Sequence, residues 1–128
     1  MPPHTYGTFT KALQAGKLEP AYYFLGAENV LKDEATTALL DKVLDPGLRD
    51  FNLDIRSAQQ LEPEDVLSLC TTPAMMADRR VVVVRDVEAW KRKTRGKKAV
   101  LEYLQKPIPE TLLVLVQGAA SEAKDDKP

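Results

Sequence analysis

"AMMADRRVVVVRD", residues 74–86, decides how the rest of the chain is read. Four consecutive valines between arginines are β-branched, apolar and without alternation. They read as a strand covered on both faces, as inner strands of parallel sheets are. A second run of this kind, "TLLVLVQG" (111–118), supplies another inner strand.

Outward from these runs, "FNLDIRSA" (51–58) alternates Phe51, Leu53 and Ile55 with Asn52, Asp54 and Arg56, predicting a strand with one wet face near a sheet edge. "PAYYFLG" (20–26) is apolar and bounded by Pro20 and Gly26, again a strand. Helical spacing links Phe9, Ala12 and Leu13 before Gly16, and then Leu31, Ala35, Ala38, Leu39 and Val43 between Asn29 and the stop at Pro46-Gly47. "EPEDVLSLCTT" (62–72) predicts a helix with Pro63 and acidic residues in its first turn, where the helix dipole favours them. "KKAVLEYLQK" (97–106) predicts another, ended by Pro107. The order α-β-α-β-α-β-α-β implies an α/β fold with a doubly wound, mostly parallel sheet. The chain stops directly after an inner strand, which is expected of a fragment of a longer protein with a sheet edge left unpaired.

At 128 residues the chain has room for one core, and a formal charge of -1 gives no global attraction to nucleic acid or membrane. The hydrophobic and charged fractions, 44% and 29%, fit a soluble globule. Its single cysteine, Cys70, excludes an internal disulfide and fits a reducing cytosol. No apolar run is long enough to cross a bilayer, and "MPPHTYGTFTKAL" lacks the blocks of a signal peptide. The expected location is cytoplasmic.

Doubly wound sheets bind ligands at the carboxyl ends of their strands. There the first strand-to-helix turn carries half of a phosphate loop. Gly26 and Lys32 fall on the glycine and lysine positions, but Leu31 replaces the second glycine and Asp33 the magnesium-binding hydroxyl. Leu31 crowds the place where backbone N–H groups must close on phosphate, and Asp33 sets a carboxylate beside an anion. After the valines, Arg85 stands where a magnesium-binding acid belongs. ATP hydrolysis and a nucleotide cofactor are therefore not expected, and an active P-loop ATPase with an unusual loop is the enzymatic alternative. His4, the only histidine, lies near the N-terminus and supports neither a triad nor a zinc site. Cys70, one turn after Val66, reads as a packing cysteine.

Two surface features remain. Met75 and Met76 follow Pro73 and Ala74 in a turn and precede Asp78, Arg79 and Arg80. Adjacent side chains there point apart, so one fills the core more easily than both, and a flexible exposed pair suits a partner's apolar pocket. Core packing and docking both remain open on these residues alone. "KRKTRGKK" holds the cations Lys91, Arg92, Lys93, Arg95, Lys97 and Lys98. It is either a solvated loop or a sequence-blind contact to DNA phosphates.

Taken in order, "AYYFLGAENVLKDEA", "FNLDI", "DVLSLCTTPAMMADRRVVVVRDV" and "TLLVLVQG" resemble the N-terminal domain of the delta subunit of bacterial DNA polymerase III, over about residues 6–120. The resemblance implies an AAA+/P-loop NTPase-like domain with a degenerate nucleotide site, spanning 1–120, truncated before its last strand and followed by a polar tail, 121–128. It implies an accessory, non-enzymatic part of a DNA-directed DNA polymerase, acting in DNA replication. In that family a short helix carries an apolar pair, typically Leu-Phe, into the hydrophobic pocket of the sliding clamp (the beta subunit) to help open the ring. That pair falls on Met75 and Met76, with Pro73, Ala74 and Arg79 around it, although methionines lack the aromatic ring. Other clamp-loader subunits, reached through a C-terminal region, and DNA in the full complex are the further implied partners; a membrane is not.

Overall fold

A computed structural model of the chain describes residues 6–24 and 29–118. Helix α1 (Tyr6–Gln14) leads into strand β1 (Ala21–Phe24) and helix α2 (Asn29–Val43). A 3-10 turn at Pro46–Leu48 continues into the short helix α3 (Arg49–Asn52) and strand β2 (Leu53–Ser57). Helix α4 (Pro63–Thr71), strand β3 (Arg80–Arg85), a 3-10 turn at Val87–Trp90, helix α5 (Thr94–Gln105) and strand β4 (Thr111–Val116) follow. The four strands are all parallel in the order β1-β4-β3-β2, so the two continuous apolar runs are the inner strands.

The valines divide strictly by parity. Val81 and Val83 face one core with Phe9 and Leu13 of α1 and Leu39 of α2, while Val82 and Val84 face the other with Val66 and Cys70 of α4, against which Tyr103 and Leu104 of α5 pack. All four are fully buried. Each such valine removed from water contributes about 1.5–3 kcal/mol, which makes β3 the most constrained strand of the sheet. Trp90 seals the second core and donates its indole N–H to the Leu61 carbonyl (2.8 Å).

Helix α4 starts as its sequence demands. Pro63 opens the first turn, and the Glu62 and Asp65 side chains exchange bonds with each other's backbone N–H groups in a capping box. It stops at Thr71 because Pro73 holds Thr72 extended (φ -71, ψ 128). Gly96 inside α5 is required by packing: a Cβ there would lie 2.8 Å from the Pro63 ring.

Two expectations change. Phe51 and Asn52 belong to α3 rather than to the strand, which begins at Leu53. The wet-and-dry alternation read across them is inverted, because Asn52 is fully buried while Phe51 is 57% and Ile55 44% exposed. A side chain leaving the end of a helix does not follow a strand's period of two, and β2, as an edge strand, has only partial cover. Likewise the helix expected from Lys97 begins earlier, at Thr94, so Arg95 of the basic stretch is helix rather than loop.

Candidate functional site

Parallel strands gather their amino ends on one side of the sheet and their carboxyl ends on the other. The amino side carries the methionine loop, 72–79, between α4 and β3. Both methionines point outward: Met75 is 55% and Met76 80% exposed. The loop is irregular where the resemblance implied a short helix, because Pro73 breaks the chain before it and Met76 takes the left-handed region (φ 58).

The loop backbone is nonetheless fixed. The buried Asn52 amide receives the Met75 N–H on Oδ1 (2.6 Å) and donates from Nδ2 to the Met75 carbonyl (2.8 Å). The same Nδ2 donates to the Leu48 carbonyl (3.0 Å), which ties the lock to the turn before α3. Only an amide offers donor and acceptor side by side, so Asn52 gives Met75 the pair of bonds that a neighbouring strand would. Sequence reading missed Asn52 by placing it on a wet strand face. The available signal was a side chain carrying both donor and acceptor, a short way after the Pro46-Gly47 turn.

The surroundings are tied down in the same way. Arg80, buried at the start of β3, pairs with Asp54 and donates from Nε to the Leu69 carbonyl (3.2 Å). The hydroxyl of Thr111 donates to the Cys70 carbonyl (2.9 Å). Of the other residues expected at the site, Pro73 is exposed, Ala74 half-buried, and Arg79 half-buried with its guanidinium turned to the Pro109 carbonyl (3.4 Å).

On the carboxyl side, several of the described polar groups bond to the chain itself. Lys32, buried at the start of α2, donates Nζ to the Gln117 carbonyl (2.6 Å), just past β4. Asp33 beside it is exposed. Gly26 lies outside the described residues, and of Leu31 only the helical backbone is described. Arg85 is exposed, and Asp86 takes a left-handed conformation (φ 59) and accepts from Ser57 Oγ (3.3 Å). Glu88 accepts from the Gly118 N–H (2.9 Å), and a Cβ on Gly118 would meet the carboxylates of Asp86 (2.4 Å) and Glu88 (2.5 Å). No group of three or more histidine, cysteine, aspartate or glutamate side chains among the described residues is placed to hold a metal.

Cys70 is wholly buried on the apolar side of α4, and burial pushes its thiol up to about 11, against smaller opposing effects of the Tyr103 hydroxyl and Arg80. A thiol held so firmly protonated is no nucleophile at neutral pH. The basic stretch does not act as one unit. Lys93 binds both Glu62 carboxylate oxygens (2.8 Å each) and Lys97 donates to the Lys91 carbonyl (3.0 Å). Arg92, Arg95 and Lys98 are exposed and make no ion pair among the described residues.

The fold has a solved counterpart. The fold is that of a clamp-loader delta protein: the chain matches the Bacillus subtilis DNA clamp loader delta protein (YqeN) with a TM-score of 0.81 and 25% identity, covering 88% of this chain and 35% of that one. At the family level, residues 22–126 match "DNA polymerase III, delta subunit", and the chain belongs to that family. It is 30% identical over 112 residues to DNA polymerase III subunit delta of Bacillus subtilis (strain 168), covering 83% of this chain and 32% of that relative. The chain thus spans about a third of the length of these relatives. No helix among the described residues is long and apolar enough to cross a membrane.

Proposed function

We propose that this chain is the clamp-binding part of a clamp-loader delta subunit, which acts in DNA replication by seating Met75 and Met76 in an apolar pocket of the sliding clamp and so helping to open the ring. The observation that carries this reading is a mismatch between backbone and side chains. The loop backbone is locked by a buried amide, while the two apolar side chains it bears are 55% and 80% exposed. A chain that needed the methionines for its own core would not hold them outward. Thioethers with three rotatable bonds adapt to the shape of a pocket that they enter.

The mechanism is binding rather than bond chemistry. Docking shifts the ring toward an open form only by the difference in affinity for its open and closed states. The AAA+-like carboxyl side takes no part, since the Lys32 amine that would meet phosphate already bonds the Gln117 carbonyl. Nucleotide control comes from other clamp-loader subunits, which assemble through the rest of the longer protein. DNA is a further partner in the full complex, and Arg92, Arg95 and Lys98 are the cations of the basic stretch available to its phosphates.

Calorimetric titration of the chain against its cognate sliding clamp tests this. Met75→Ser with Met76→Ser is expected to lower affinity at least ~30-fold, the loss of about 2 kcal/mol of apolar anchoring. Thermal unfolding should stay where it was, because neither side chain is in the core. Affinity equal to that of the native chain overturns the proposal.

A further inference from the structure

Besides the methionines, Phe51 is the most exposed aromatic side chain described, at 57%, and it is covalently joined to the residue that fixes the methionine loop. Asn52, its neighbour, is fully buried and bonds both the N–H and the carbonyl of Met75. Consecutive Cα atoms are 3.8 Å apart, so one peptide plus one amide side chain sets the Phe51 and Met75 backbones at most about 11 Å apart. Two segments distant in sequence, 51–52 and 75–76, therefore present their apolar side chains from one rigidly connected end of the sheet.

We infer that Phe51 is a third anchor of the docking surface and that Asn52 is its positioning residue, holding Phe51 and the methionine pair in register for one apolar surface on the sliding clamp. The inference rests on the clamp-docking reading above. Its physical basis is a division of labour. Each methionine loses rotamer freedom when it docks, whereas a phenylalanine with two side-chain torsions offers a large contact at low ordering cost. The left-handed backbone at Met76 is a conformation that a free loop would leave. The two Asn52–Met75 bonds hold the neighbouring residue and keep that geometry in place before the partner arrives.

The same calorimetric titration tests it with Phe51→Ser, whose exposed position leaves the fold intact. The expected result is affinity lowered at least tenfold with an unchanged melting temperature; native affinity overturns the role of Phe51. In Phe51→Trp, indole fluorescence at position 51 should shift to the blue as clamp is added, against the constant signal of buried Trp90. Emission that clamp does not move overturns it equally. Asn52→Ala, measured below its own melting temperature, should lose affinity although Phe51, Met75 and Met76 are all present; native affinity overturns the positioning role. If the double methionine variant binds normally, the clamp-docking reading itself falls. If that variant fails to bind while Phe51→Ser binds as the native chain does, only the present inference falls.

Discussion

The two ends of the sheet are built on opposite plans. At the carboxyl end, polar groups that would face a ligand are turned onto the chain itself: Lys32 to Gln117, Ser57 to Asp86, Gly118 to Glu88. At the amino end the polar groups are again satisfied internally, through Asn52, Arg80 and Thr111, but there they fix a loop whose apolar side chains face water. The difference teaches where to look for function in such a fold. A doubly wound sheet is customarily searched at its carboxyl edge. Here the described polar groups at that edge bond to the chain itself, while the exposed methionine pair lies at the other end.

The contrast breaks most visibly at Lys32. Lys32→Met leaves the Gln117 carbonyl with one donor fewer, and urea unfolding should show a stability loss of about 1–2 kcal/mol. Clamp affinity should stay within about twofold of native, and Mg-ATP should give no calorimetric heat with either chain. Mg-dependent ATP binding that disappears in Lys32→Met would move the functional end back to the carboxyl side.

A smaller effect is expected at alkaline pH, where Cys70 reports on the core beneath the methionine loop. Its folded pKa, about 11, lies above the unfolded value of 9.0, so its contribution is fully present below pH 9 and is lost as pH rises through 11. Burial also raises Tyr22 and Tyr103, so part of the decline persists in any cysteine variant. Cys70→Ala should flatten the stability-against-pH curve over that window. A slope identical to native would mean that the thiol reaches water.

The smallest effect on the fold belongs to the basic stretch. Arg92→Ser, Arg95→Ser and Lys98→Ser together should change stability by less than about 0.5 kcal/mol and leave clamp affinity alone. The same change should reduce retention on duplex DNA at low salt, and unchanged retention would remove these cations from any DNA contact.

The architecture was legible because its strongest signals are local. Val81 to Val84 and Leu112 to Val116 carry the density of β-branched and aliphatic residues that only a doubly covered strand tolerates. The stop of α4 was written in Pro73 and its start in Glu62-Pro63. The exposure of Met75 and Met76 was only half legible: a proline, a turn and flanking charges left core packing and docking both open, and the fold turns both side chains outward. What sequence could not display was the pairing of Asn52 with Met75, a contact across 23 positions that depends on both chain paths. Nor could it show that Phe51 leaves a helix rather than enters a strand, since six apolar and polar residues in alternation, Phe51 to Arg56, fit either local geometry. Lys32 read as half of a phosphate loop because motif spacing is local, whereas its actual acceptor lies 85 positions away.

The central claim is tested most directly by watching the methionine methyl groups themselves. With 13C-methyl methionine incorporated, the Met75 and Met76 resonances of the free chain should be sharp and solvent-exposed. Saturating sliding clamp should shift or broaden both while the resonance of Met1 stays in place. Two unmoved methyl signals in the presence of demonstrably bound clamp would contradict the account.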